Sequence, residues 1–152
     1  LKQMREEEKK QMFDRTMMRR KEEMMELGGK IARKVVPPFC IHLTGQIGAG
    51  KTTFARGFLK AIGINGPVKS PTFTLVETYS RGGIKVNHLD LFRIDSSREL
   101  EFIGFDDYLD NKSILLIEWP ESVSEGLPEP DLTIKIEVEG FSRRIQIDKN
   151  FV

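Results

Sequence analysis

Residues Gly45-Gln46-Ile47-Gly48-Ala49-Gly50-Lys51-Thr52 fit the pattern G-x-x-x-x-G-K-[ST] at every fixed position. The chemistry of such a run is polyphosphate binding. Its glycines let the backbone curl so that N–H groups converge on an anion, and the positive end of the following helix reinforces the nest. Lys51 is placed to reach the β- and γ-phosphates, and the Thr52 hydroxyl to sit on the Mg²⁺ that bridges them. A nucleotide triphosphatase or a phosphotransferase is expected. The competing explanation, a chance glycine-rich turn, leaves unexplained the apolar run Phe39–Leu43 before the motif and the helical pattern after it.

Further candidates lie downstream. Asp90 ends an apolar strand in His88-Leu89-Asp90-Leu91-Phe92-Arg93, where a carboxylate can hold Mg²⁺ directly or through water. Arg93 could neutralise phosphate charge in the transition state. A structural ion pair is the alternative for both. His88 shares a strand face with Asp90, but a lone histidine is more often structural, and no catalytic role is assigned to it. In Ser113-Ile114-Leu115-Leu116-Ile117-Glu118-Trp119, aliphatic residues deliver Glu118, which could hold Mg²⁺ or orient an attacking water. Trp119 either covers the nucleotide site or is structural. Ser70 and Thr72, around Pro71, are candidates for a segment whose hydroxyl senses the γ-phosphate; a plain strand-entry turn is the other reading.

These residues need elements to position them. Residues 1–21 are rich in helix formers without Gly or Pro and are expected to be a charged, helical N-terminal extension, packed or solvated, with residues 22–152 forming the domain proper. A basic helix binding RNA or a partner is the functional alternative for that extension. Met24, Leu27, Ile31 and Val35 recur at helical spacing, and Pro37-Pro38 stops that helix. Phe39–Thr44 reads as a buried strand. A helix from Lys51 to about Ile62 turns Phe54, Phe58, Leu59 and Ile62 inward, with Gly63 at its end. Residues 73–80 and 84–92 flank Arg81-Gly82-Gly83 as a hairpin. A helix begins at Ser96, with Glu99 in capping-box position, and a second short one covers Asp106–Leu109. After Leu127-Pro128-Glu129-Pro130-Asp131, alternating residues around Gly140 close the chain on a β-hairpin. The fold class expected is α/β: a three-layer P-loop NTPase-like fold with a mixed sheet, plus the C-terminal hairpin.

Composition bounds the rest. Net charge is +1, and the positive excess is N-terminal: residues 1–34 carry 11 Lys/Arg against 7 Asp/Glu, residues 35–152 carry 13 against 16. Tight independent binding of nucleic acid is not expected of such a chain. The single Cys40 cannot form an internal disulfide and is expected to pack as a small apolar residue. Apolar runs are too short for a membrane span, so a soluble cytoplasmic protein is expected.

The segments GQIGAGKTTFARGFLKAIG, VKSPTFTLVETY, HLDLFR, ELEFIGFDDYL and ILLIEWPE, in this order, resemble the bacterial TsaE (YjeE) family from about Glu22 to the terminal hairpin. That family comprises P-loop ATPases of tRNA threonylcarbamoyladenosine (t6A) synthesis. The resemblance implies hydrolysis of ATP with Mg²⁺ and no transfer chemistry on tRNA itself. It also implies action on a complex of TsaB and TsaD, two paralogous proteins of actin-like fold, which the ATPase resets between cycles; tRNA is met only through that complex. Carried onto this chain, the phosphate loop of Gly45 to Thr52, with Thr53, and the switch-like Thr72 are the nucleotide contacts. Lys51, Asp90 and Glu118 are the catalytic residues, with Thr52, Asp90 and Glu118 the Mg²⁺ ligands. Trp119 matches the aromatic that follows the acid. Gln46 stands where the family usually has Asp, and Phe92 where it has Tyr; both changes leave the phosphate nest untouched. Two other enzyme classes stay open, beside a nucleotide-binding scaffold without turnover. A GTPase needs N-K-x-D, which Asn111-Lys112-Ser113-Ile114 starts without supplying its Asp. A small-molecule kinase needs an Arg-rich lid, and no Arg cluster follows the loop.

Overall fold

The computed structural model describes residues 13–18, 21–123 and 125–148. Strand β1 (Phe13–Met18) is followed by α1 (Lys21–Ala32), β2 (Phe39–Thr44), α2 (Lys51–Ala61), β3 (Val76–Arg81), β4 (Ile84–Asp90), α3 (Ser97–Phe102), β5 (Ile114–Glu118), β6 (Leu132–Glu139) and β7 (Ser142–Asp148). Short 3-10 turns cover Phe105–Tyr108 and Pro120–Ser122. The strands form one mixed sheet in the order β1-β7-β6-β2-β5-β4-β3. Its centre is parallel, β6, β2, β5 and β4, and antiparallel hairpins extend both sides.

Alternation along the strands explains the layering. Ile41 and Leu43 of β2, Ile114 and Leu116 of β5, and Val86 of β4 face α1 and α2, where they meet Met24, Leu27, Ile31, Phe54, Phe58 and Leu59. The intervening residues Cys40, Leu115, Ile117 and Leu89 face the opposite side and pack on Leu100 of α3, Phe105 and Val123. A central strand covered on both faces must be apolar throughout, and all five residues of β5 are buried. The expected three-layer α/β fold with its C-terminal hairpin is therefore observed.

Helices α1 and α2 approach each other through glycine. A Cβ on Gly28 would lie 2.2 Å from the Phe54 carbonyl oxygen, and one on Gly57 2.0 Å from that of Met25. The two backbones touch where no side chain fits.

Residues 13–18 correct an expectation. They are a strand, not a helix, pairing antiparallel with β7 from Phe13↔Asp148 to Met18↔Arg143. Local composition favours a helix there, but β7 offers an edge of backbone donors and acceptors, and pairing with it satisfies them. The remainder of the expected N-terminal helix, residues 1–12 and 19–20, lies outside the described residues. Smaller differences follow the same logic. Val35 is buried past the end of α1. β3 begins at Val76, because Pro71–Thr74 form turns and Leu75 takes a left-handed φ of 70°. Ser96 is the N-cap of α3 as expected, yet its side chain makes no capping bond. The segment near Asp106–Leu109 is a 3-10 turn. Among the described residues no helix is long and apolar enough to cross a membrane.

Candidate nucleotide-binding site

The parallel strands β2, β5 and β4 end at one edge of the sheet, where open α/β sheets bind ligands. Register puts Leu43 beside Glu118 and Glu118 beside Asp90. The loop between β2 and α2 crosses this edge with positive φ at Gly48 (77°) and Gly50 (120°), a conformation that residues with a Cβ rarely adopt. A cavity of about 280 Å³ lies over it. Ile47, Gly48, Ala49, Gly50, Lys51, Thr52 and Thr53 line it from the loop side, and Thr72, Asp90, Phe92, Glu118 and Trp119 from the strand ends. Gly45 and Gln46 are not among the lining residues. Their carbonyl oxygens instead accept hydrogen bonds from the Lys51 ammonium.

Strand parity explains which carboxylates reach the cavity. His88 and Asp90 share the face of Val86, and Glu118 shares that of Ile114 and Leu116, which is the face covered by α2. Thr52, in the first turn of α2, therefore meets Glu118: its hydroxyl lies 3.1 and 3.2 Å from the two carboxylate oxygens. From the other side His88 Nε2 lies 2.5 Å from Glu118 Oε2. A carboxylate accepts, so Nε2 carries the proton; His88 Nδ1 has no partner among the described residues. His88 and Glu118 are 0% and 2% exposed, so the carboxylate is held from two sides out of bulk water. The contact gives His88 a structural partner whose importance the sequence alone does not disclose, because the β4–β5 register that creates it is non-local.

Asp90 is held similarly. Its Oδ2 accepts from the Thr72 hydroxyl at 2.8 Å and its Oδ1 from the Phe92 backbone N–H at 3.0 Å. Ser70 Oγ is 2.9 Å from Thr72 Oγ1. The Ser70–Thr72 segment is thus tied to the end of β4 by a hydroxyl that lines the cavity. Arg93 lies elsewhere: its guanidinium stacks on the Phe73 ring at 4.3 Å and does not line the cavity.

Lys51 is 5% exposed. Burial lowers its pKa, opposed by the carboxylates of Glu118, Glu121 and Asp90. Besides the two loop carbonyls, its ammonium lies 3.8 Å over the Trp119 ring. Trp119 holds a left-handed backbone, φ 59°, and its ring packs at 4.9 Å on Phe92. An ammonium on a flexible stem, surrounded by carbonyls and an aromatic face, is stored beside the cavity it would serve.

For a divalent cation the donors are the Thr52 hydroxyl and the carboxylates of Glu118 and Asp90, all lining one cavity. Hard oxygen donors of this number suit Mg²⁺, which completes its shell with phosphate oxygens and waters rather than an all-protein cage. The Asn111-Lys112 pair that begins a guanine-reading motif precedes β5, at the strand end opposite Glu118, and so lies away from this cavity.

Residues 18–145 match the family model described as "Threonylcarbamoyl adenosine biosynthesis protein TsaE". A Haemophilus influenzae protein named tRNA threonylcarbamoyladenosine biosynthesis protein TsaE is 47% identical over 107 residues, covering 70% of this chain and 68% of that protein. A Bacillus subtilis protein of the same name is 38% identical over 108 residues, covering 71% and 67%. The crystal structure of Bacillus subtilis YdiB superposes with a TM-score of 0.74 at 29% identity, over 89% of this chain and 84% of that one.

Proposed function

The chain belongs to the TsaE family of threonylcarbamoyl adenosine biosynthesis proteins, and from this we propose that it is the Mg²⁺-dependent ATPase subunit of tRNA t6A modification, acting in the cytoplasm on a TsaB–TsaD complex to sustain repeated turnovers. The observation that carries the reading is the convergence of Thr52, Glu118, Asp90 and Thr72 on the cavity over the phosphate loop.

In this reading the loop N–H groups and Lys51 bind the triphosphate, Lys51 leaving the carbonyls of Gly45 and Gln46 for the phosphates. Thr52, Glu118 and Asp90 would hold Mg²⁺, whose charge offsets that of the phosphates. Glu118, fixed by Thr52 and His88, orients a water for in-line attack and accepts hydrogen bonds from it. Trp119 and Phe92, which line the cavity, would limit competing solvent over a bound triphosphate. Thr72 reports the γ-phosphate: while it bonds to Asp90 the segment from Ser70 holds one arrangement, and a hydroxyl drawn toward phosphate would hold another. A chain of net charge +1 neutralises few RNA phosphates, so the partners supply the tRNA surface.

Reconstituted threonylcarbamoyl transfer to tRNA, with and without this chain, tests the proposal. Multiple turnovers that require both the chain and hydrolysable ATP are expected. Undiminished multiple turnover without the chain would refute it.

A further inference from the structure

The C-terminal hairpin does more than extend the sheet. Arg143, near the start of β7 and on the same strand face as the core residues Ile145 and Ile147, donates from Nε to the Ala49 carbonyl oxygen at 3.0 Å. Its Nη2 lies 3.4 Å from the Gly48 carbonyl oxygen, and Nη1 donates to Ser142 at 3.1 Å, bracing the fork against its own strand. The loop contacts bridge 94 and 95 positions, so nothing local to the phosphate loop supplies them.

The peptide group is planar, with C=O and N–H pointing in opposite directions. Drawing the Ala49 oxygen toward β7 therefore turns the Gly50 N–H away from β7, and both Ala49 and Gly50 line the cavity. The Gly48 oxygen acts likewise on the Ala49 N–H, which closes the loop's own turn onto Gln46 at 3.1 Å. Constraint is needed here, because Gly48 and Gly50 impose little of their own. Gly45 is backed by the Ile136 carbonyl and Gly50 by the Met24 side chain, whereas no atom lies within 4 Å of where a Gly48 Cβ would be.

We propose that Arg143 is a positioning residue for the phosphate loop, fixing the Ala49–Gly50 peptide with its N–H aimed at a bound polyphosphate. The inference rests on reading the loop as a triphosphate site. A loop held in its binding arrangement loses less freedom when the anion arrives, so the contribution falls on affinity for phosphate-bearing nucleotides.

Calorimetric titration of the full chain with MgATP, MgADP and a non-hydrolysable ATP analogue, beside steady-state hydrolysis, tests this on three variants. Arg143→Ala is expected to weaken all three ligands about tenfold and to raise KM while leaving kcat at saturation near wild type. Arg143→Lys keeps the charge but not the fork and should recover only part of the affinity. Arg144→Ala removes an equal charge from the same hairpin, where Arg144 pairs with Glu139 at 2.9 Å, and should bind as wild type does. Affinity of Arg143→Ala within about twofold of wild type, or an equal loss in Arg144→Ala, overturns the proposal. Should Arg143→Ala not fold, Arg143→Lys decides: wild-type affinity at an unchanged melting temperature overturns it. A wild-type chain that binds no triphosphate would instead refute the site reading, and this inference with it.

Discussion

Thr52 and Glu118, 66 positions apart, meet at 3.1 Å where the first turn of α2 covers the end of β5. The hydroxyl of the phosphate loop and the acid of the central strand thus form one unit. Both of the carboxylate oxygens lie within reach of Thr52, and one also meets His88. An acid so restrained has few orientations to lose when a water or a cation arrives.

Glu118→Gln is expected to keep nucleotide binding and to lower hydrolysis about a hundredfold or more, since the amide keeps the size but loses charge and basicity. Titration with a non-hydrolysable ATP analogue and a phosphate-release assay on the same sample separate the two. Equal losses of binding and turnover would assign Glu118 a structural role.

Lys51→Ala should abolish hydrolysis and weaken binding, because no other cation lines the cavity among the described residues. Wild-type phosphate release by the purified variant would show the site assignment to be wrong.

Adjacent glycines of α1 should respond with opposite signs. A methyl on Gly28 would collide with the Phe54 carbonyl, whereas one on Gly29 meets its nearest atom, the Ala61 Cβ, at an ordinary 3.5 Å. Gly28→Ala is expected to destabilise by about 1–3 kcal/mol through overpacking. Gly29→Ala should stabilise by about 0.5–1 kcal/mol, through the lower backbone entropy of alanine in a helix. Urea unfolding of both variants checks the pair of signs; a shared sign would contradict the close approach of α1 and α2.

How much of this was legible beforehand depended on distance along the chain. Lys51 and Thr52 sit in a motif of fixed spacing. Glu118 and Asp90 could be read because an acid ending an apolar strand has a local signature, and both line the cavity with Thr72. What is non-local was not readable. His88 meets Glu118 only because β4 lies beside β5, and Arg143 meets the loop only because β7 folds back along β6. Arg93 looked as apt for phosphate as Arg143 does for the loop, yet Phe73 holds it away. Over residues 13–18, tertiary pairing overrode a propensity for helix that amounts to fractions of a kcal/mol per residue.

Cys40 offers a test of the packing beneath β2. Burial, with the Asp131 carboxylate adding to it, pushes its thiol from 9.0 up to about 12. Because the folded pKa is the higher, the neutral thiol stabilises the fold below pH 9, and this contribution is lost as pH rises toward 12. At pH 8 the native thiol is therefore much less ionised than a free one, and burial restricts access further. Alkylation should therefore be negligible in the native protein and rapid in urea. Fast labelling of the native chain would place Cys40 outside the core.

Thr72 links the cavity to the exposed residues beside it. Its hydroxyl bonds to Asp90 at 2.8 Å and lies 2.9 Å from Ser70 Oγ, so one side chain joins the cavity to an exposed segment. Alanine at this position removes the link but neither the phosphate loop nor Lys51. Thr72→Ala should accordingly weaken ATP-dependent association with TsaB–TsaD more than it weakens ATP binding. Calorimetry with ATP and pull-down with the partner pair, on the same preparation, give the two numbers. Partner binding that stays as dependent on ATP as in the wild type would remove Thr72 from the mechanism.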